Sequence, residues 1–151
     1  MRILAFASLL VLIMTASCGP APAPPKAAQR DETKEPWYGR TVDQLAAGNR
    51  EASSLLKRGK EDDASALVQS GEKLAIRLLA VPKPTLPAME AASDVDDLYG
   101  RMLLANGNYG WARLFFQKNL ARWKNWTPET SNTEARRKAA AAGIAECDKH
   151  L

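Results

Sequence analysis

Histidine and cysteine are scarce in this chain of 151 residues, which contains one histidine and two cysteines. Catalytic triads and zinc sites depend on these side chains, so neither a histidine-based triad nor a zinc site is well supported. The single histidine, His150, is next to the last residue. No glycine-rich phosphate loop follows a strand pattern either. The sequence therefore predicts a protein that is not an enzyme and that uses no metal and no cofactor.

Three carboxylates, Asp94, Asp96 and Asp97, are the one cluster that acid-base chemistry could use. We interpret them as residues at the start of a helix, where the partial positive charge of the helix N-terminus stabilises negative side chains. The sequence therefore predicts a structural role for this cluster.

A hydrophobic run long enough to cross a membrane is also lacking. The apolar segment from Ile3 to Met14 is too short, because a bilayer core of about 30 Å requires roughly 20 apolar residues. Arg2 precedes this run, and small residues follow it up to Ser17, directly before Cys18. This pattern predicts a secretory signal peptide over residues 1–17.

The cysteine after those small residues makes the segment resemble a bacterial lipoprotein signal. The resemblance implies that the signal peptide is removed and that Cys18 is lipidated. The family usually has Leu at the position of Thr15, so ordinary cleavage and a retained anchor remain as alternatives. The residue after the cysteine is Gly19 and not Asp. By the same resemblance, this implies that the protein is anchored at the periplasmic face of the outer membrane.

The segment after Cys18 is rich in proline and charge and has no apolar periodicity. Such a composition cannot bury enough surface to offset the entropy of ordering. Residues 18–40 are therefore predicted to be the lipidated cysteine and a disordered linker, and residues 41–151 a helical domain. Cys147 then has no disulfide partner in the mature chain; it is either a small semi-buried residue or an intermolecular link.

The helical domain is predicted to contain two antiparallel hairpins that turn at Gly59 and Gly107, because glycine leaves the right-handed helical region at low cost. Thr41 and Gln44 have the form of a capping box at the start of the first helix. The segment Val81–Pro87 contains three prolines and is predicted to be a connector between the hairpins.

The two hairpins also match each other in sequence. When Gly59 is placed on Gly107, small and apolar positions coincide: Ala52 with Gly100, Leu55 with Leu103, Ala64 with Ala112, and Val68 with Phe116. This pattern resembles the tetratricopeptide repeat, a helix-turn-helix unit that stacks into solenoids. A generic helical bundle is the alternative.

A final helix is predicted from Thr133 to Leu151, with Ser131 and Glu134 as its capping box. Its apolar stripe would cover the open end of the second hairpin. The stripe contains Ala140, Ile144, Cys147 and Leu151. The predicted fold is thus all-α and similar to tetratricopeptide domains, with about five helices in two hairpins plus a C-terminal capping helix.

The resemblance implies a binding groove lined by the first helix of each hairpin. Carried onto this sequence, the groove residues are Asn49, Ser53, Lys57, Asp94, Asp97 and Arg101. Their polar character suits an extended protein segment. We therefore expect a membrane-tethered adaptor or scaffold that binds an envelope protein or peptide. Nucleic acid is not an expected partner, and self-association is left open.

The alternative function is a binding module for an envelope polymer or an anionic lipid surface. It would use Trp37 and Trp126 as exposed contacts, together with the basic residues 101–151, which contain nine basic and four acidic side chains. The segment Arg136-Arg137-Lys138 is interpreted as a solvated helix face or as an anion-binding patch. Helical spacing places Trp111 and Phe115 in the core.

Overall fold

The structure is a computed structural model and describes residues 30–151. In this part of the chain a short 3-10 helix at Glu32–Lys34 precedes five α-helices, and no strand is present. The helices are α1 (Pro36–Lys57), α2 (Glu61–Leu79), α3 (Leu86–Ala105), α4 (Tyr109–Lys124) and α5 (Ser131–Asp148). The prediction of an all-α fold with five helices is confirmed. The predicted signal peptide and Cys18 lie outside the described residues.

The helices form two layers. Each helix packs against the next one along the chain, and α1 and α5 both contact α3. Within residues 30–151, no Cα atom of α2 lies within 8 Å of a Cα atom of α4. The odd-numbered helices therefore lie side by side, and α2 and α4 lie behind them. α1 and α2 form the first hairpin, α3 and α4 form the second, and α5 packs on α4 as the predicted capping helix.

Both hairpins turn at the predicted glycines and with the same geometry. Gly59 has φ of 72° and Gly107 has φ of 73°, which is the left-handed region. In the first turn the Lys60 amide donates to the Leu55 carbonyl at 3.0 Å, and the equivalent bond of the second turn is 2.8 Å. These bonds satisfy carbonyl groups that the helix end leaves without partners. The two predicted turns are confirmed.

Replacing Gly59 by alanine should lower the free energy of unfolding by about 1 kcal/mol, because a Cβ atom disfavours the left-handed conformation. No atom lies within 4 Å of the Cβ that alanine would add, so the effect reports backbone conformation alone. Chemical denaturation followed by circular dichroism measures it. Gly59→Asn is the control and should lose less stability, since asparagine tolerates this conformation. Equal stability of Gly59→Ala and the wild type would contradict the prediction.

The predicted start of the first helix was wrong. α1 begins at Pro36 and not at Thr41. The first turn accepts proline because the amide hydrogen that proline lacks has no partner there. Thr41 lies inside the helix, where its buried hydroxyl donates to the Trp37 carbonyl at 2.8 Å. It therefore cannot form a capping box with Gln44.

The third helix begins earlier than the acidic cluster indicated. α3 starts at Leu86, and the Thr85 side chain caps it, so Pro87 belongs to the first turn and not to the connector. Asp94, Asp96 and Asp97 consequently lie in the middle of α3. The prediction that they mark a helix start was wrong.

The capping box of α5 is displaced by one residue from the predicted one. Thr130 is the N-cap residue, and its hydroxyl accepts from the Thr133 amide, while the Thr133 hydroxyl accepts from the Thr130 amide. Ser131 and Glu134, which were predicted for these roles, lie inside the helix. At the other end, Leu151 is exposed and lies beyond α5, so it does not extend the apolar stripe.

The core has two parts. The larger cluster joins α1, α2 and α3 around Tyr38, Leu45, Leu78 and Val95, and the Tyr38 hydroxyl accepts from the backbone amide of Thr85 at 3.1 Å. The smaller cluster joins α4 and α5 through Ala112, Phe116 and Cys147.

The Phe116 ring lies against two glycines on different helices. A Cβ atom added at Gly100 of α3 would lie 2.8 Å from the ring, and one added at Gly143 of α5 would lie 2.7 Å from it. Because real Cβ atoms do not approach so closely, both positions require a residue without a side chain. This close packing joins α3, α4 and α5.

Candidate functional site

A groove of about 620 Å³ lies between α1 and α3. It is lined by five of the six residues that the sequence analysis assigned to a groove: Asn49, Ser53, Lys57, Asp94 and Asp97. The sixth, Arg101, lines a neighbouring pocket of about 200 Å³ together with Leu56 and Met102. Arg101 is still connected to the groove, because its Nε donates to Asp97 at 2.7 Å.

The α1 side of the groove carries unneutralised positive charge. Arg50 and Lys57 are both exposed, and neither has an ion-pair partner among the described residues. Ser53 lies between them and is half-buried. Asn49 is buried, and its amide donates to the Ala91 carbonyl of α3 at 2.8 Å. Asn49 therefore holds α1 against α3 beneath the groove, and Arg50 and Lys57 present the charge.

The carboxylates on the α3 side are already paired. Asp97 binds Arg101 one turn further along the same helix. Asp94 binds Arg136 of α5, whose guanidinium also donates to the Glu90 carbonyl at 3.2 Å. Because the carboxylates on α3 are neutralised and the cations on α1 are not, the groove attracts an anion to α1 more strongly than it attracts a cation to α3.

Asp96 lies in a buried polar cluster that sequence reasoning missed. Its side chain is 1% exposed, and Arg122 Nη2, on a side chain 5% exposed, lies 2.6 Å from Asp96 Oδ2. The contact is an ion pair, and Asp96 Oδ2 accepts no hydrogen bond from the described residues. Lys118 contacts the other carboxylate oxygen at 2.8 Å. The sequence contained one indication that Asp96 is buried: it follows Ala92 by one helical turn and so lies on the same face of α3.

A second set of buried hydrogen bonds adjoins this ion pair. The Ser93 hydroxyl donates to Asn119 Oδ1 at 2.6 Å and accepts from the Trp123 indole at 2.9 Å. Asn119 Nδ2 donates in turn to the Ser93 carbonyl at 3.1 Å. Since buried polar groups are costly when unpaired, this arrangement fixes the register of α4 on α3.

The two tryptophans proposed as exposed contacts are both half-buried. Trp37 packs on the larger core cluster, and the Arg77 guanidinium lies 4.4 Å from its ring centroid. Trp126 packs edge-on against Trp123 at 5.9 Å, and its indole nitrogen is buried. Trp111, in contrast, is 65% exposed. The prediction that Trp111 belongs to the core was wrong.

The basic segment at the start of α5 is neutralised within the domain. Arg136 pairs with Asp94, Arg137 with Glu129 at 2.6 Å, and Lys138 with Glu134 at 2.7 Å. Of the three, Lys138 has the most exposed side chain. Each cation thus has a carboxylate neighbour, which reduces the attraction of this segment for external anions.

Cys147 and His150, the side chains that nucleophilic catalysis could use, lie near the end of α5 in different surroundings. Cys147 is buried in the smaller cluster, and burial raises the pKa of its thiol, with the nearby Asp148 carboxylate acting in the same direction. His150 stacks on the Tyr109 ring at 4.2 Å. In residues 30–151 no group of three or more His, Cys, Asp or Glu side chains is placed to hold a metal ion.

No helix in the described part of the chain is both long and apolar enough to cross a membrane. Comparison of the chain with protein-family models, curated proteins and solved structures gave no significant match.

Proposed function

We propose that this chain is an envelope lipoprotein, tethered through lipidated Cys18, whose helical domain binds a protein or peptide partner and performs no catalysis. The observation that carries the proposal is the groove between α1 and α3, which contains Ser53, Lys57, Asp94 and Asp97 together. An open groove with polar side chains suits an extended segment of a partner. The tether implied by the signal sequence would hold this groove at the membrane surface.

The resemblance to tetratricopeptide repeats supports the location of the binding surface. The two glycine turns are equivalent in φ and in hydrogen bonding, and the small residues Ala64 and Ala112 after them are both fully buried. The groove lies between the first helices of successive hairpins, which is where the resemblance implies that ligands bind.

The charges of the groove indicate the chemistry of its occupant. Arg50 and Lys57 on α1 lack ion-pair partners among the described residues, whereas Asp94 and Asp97 on α3 already have them. We therefore propose a segment that presents carboxylate or carbonyl oxygens to α1. Binding to an envelope polymer or an anionic lipid surface is the less favoured function, because Trp37 and Trp126 are half-buried and the basic segment of α5 is paired.

Site-specific photocrosslinking in cell envelopes tests the adaptor function. We expect a photoreactive amino acid at Ser53, inside the groove, to form protein adducts. The same group at Gln69, an exposed residue of α2 that does not line the groove, should form none or different ones. Adducts that are identical from both positions would contradict a binding site in the groove.

Charge removal gives an independent measurement on the same adducts. Arg50→Ala combined with Lys57→Ala should reduce recovery of the partner by at least about fivefold, as expected for truncation of important contact residues. The matched control removes Glu51 and Arg58, an exposed ion pair of 3.0 Å that lies outside the groove lining, and should leave recovery unchanged. Equal losses in the two double variants would reject the groove as the site.

A further inference from the structure

A second cleft, of about 420 Å³, lies between α2 and α4, whose Cα atoms are all more than 8 Å apart. Its lining comes from three helices and from the turn before α4: Glu72, Tyr99, Leu103, Asn108, Trp111 and Phe115. A cleft of this volume is in the range of small-molecule sites in proteins.

Half of the lining residues are aromatic. Tyr99 and Phe115 pack with their ring centroids 4.5 Å apart, and Trp111 stands beside them with 65% of its surface exposed. The faces of aromatic rings carry negative electrostatic potential and attract cations. The ammonium of Lys118, which does not line the cleft, lies 5.4 Å from the Phe115 ring centroid.

Glu72 is the carboxylate of the cleft. Desolvation by burial raises its pKa, the charge of Lys118 opposes this shift, and the charge of Asp96 adds to it. No cation of the described residues lies within ion-pair distance of Glu72. Lys118 does not neutralise it directly, because the Lys118 ammonium binds Asp96 at 2.8 Å. The cleft thus contains a partly desolvated negative charge next to three aromatic rings.

We propose that this cleft binds a small organic cation with an alkylated ammonium group. The alkyl groups would contact Trp111 and Phe115, and the positive charge would face Glu72 and the ring surfaces. A metal ion or a primary amine is less suited, because compact cations lose more hydration energy when they enter an apolar site. The proposal does not depend on the groove between α1 and α3.

Calorimetric titration of the purified full chain with choline tests the proposal. The comparison ligand is the neutral carbon analogue of choline, in which a tert-butyl group replaces the trimethylammonium group at nearly the same size. We expect choline to bind at least about tenfold more tightly, because only the cation gains from Glu72 and from the ring quadrupoles. Equal affinity for the two ligands, or no binding of choline, would overturn the proposal.

Three variants locate the binding. Glu72→Gln and Trp111→Leu should each weaken choline binding by about fivefold to tenfold. Ile76→Ala is the matched control, because Ile76 is an exposed apolar residue of α2 that does not line the cleft; choline binding should be unchanged. Circular dichroism confirms that each variant is folded. Unchanged affinity in both cleft variants would reject the site.

The ammonium group could belong to a free metabolite or to a lipid headgroup, and a soluble headgroup separates these sources. Glycerophosphocholine that binds more tightly than choline would assign the cleft to a headgroup. Weaker binding would assign it to the free cation, since Glu72 then repels the phosphate. Both results retain the ammonium group as the recognised chemistry.

Discussion

Asp96→Ala is expected to lower the free energy of unfolding by about 3–5 kcal/mol, the usual cost of removing one partner from a buried ion pair. The substitution would leave Arg122, whose side chain is 5% exposed, without its carboxylate. Its remaining bond to Asn119 Oδ1, at 3.1 Å, does not neutralise the charge. Lys118 is affected less, because 49% of its side chain is exposed to solvent. Denaturant unfolding followed by circular dichroism measures the loss.

Two further variants show whether the lost stability comes from the buried charge. Asp97→Ala removes the neighbouring carboxylate, whose pair with Arg101 is exposed, and should cost less than about 1 kcal/mol. Asp96→Leu combined with Arg122→Met removes both buried charges and should recover most of the stability. If Asp96→Ala were no more damaging than Asp97→Ala, the pair with Arg122 would not be essential to the fold.

Gly143→Ala should lower the free energy of unfolding by about 2 kcal/mol, although alanine is the better helix former. The new Cβ atom would lie 2.7 Å from three atoms of the Phe116 ring. The ring cannot move away towards α3, because Gly100 is equally close on that side. Either α5 must shift outward or the ring must leave its rotamer, and both changes disrupt the packing.

Two comparisons separate steric overlap from helix propensity. Gly48→Ala, within α1 and with no atom near the new Cβ, should increase stability by up to about 1 kcal/mol. Phe116→Leu combined with Gly143→Ala should be less destabilised than the sum of the two single variants, because the smaller side chain relieves the overlap. A stabilising effect of Gly143→Ala alone would show that α5 does not pack this tightly.

The hairpin turns were predictable because their cause is local. Only a residue that adopts positive φ at low cost can occupy such a turn, and the sequence offers Gly59 and Gly107 between two apolar periodicities. Helix starts were less predictable. Thr41 is a residue type that commonly caps helices, yet the helix begins earlier, at Pro36. The residues around Thr41 do not indicate this earlier start.

The roles of Asp96 and Trp111 could not be predicted, because they depend on neighbouring helices. Periodicity places Asp96 on one face of α3 but does not identify Arg122 as its partner on α4. Trp111 shares a helical face with Phe115, as expected, but 65% of Trp111 stays exposed because α2 does not pack closely on α4. Burial is a property of the packed layers, which a single helical pattern does not specify.

The groove residues were partly predictable for a similar reason. The spacing of Asn49, Ser53 and Lys57 places them along one face of α1, and the two hairpins place that face near α3. The sequence did not show that Asn49 is buried beneath the groove or that Arg50 is one of its exposed charges.

Asp94 belongs at once to the groove wall and to the attachment of the last helix, because its carboxylate binds Arg136 of α5. A cation that binds Asp94 would compete with Arg136 and weaken the packing of α5. Conversely, dissociation of α5 would leave the Asp94 carboxylate unpaired in the groove. By thermodynamic linkage, the factor by which a bound cation weakens the docking of α5 equals the factor by which docked α5 weakens cation binding. Cation binding at Asp94 and docking of the C-terminal helix therefore oppose each other.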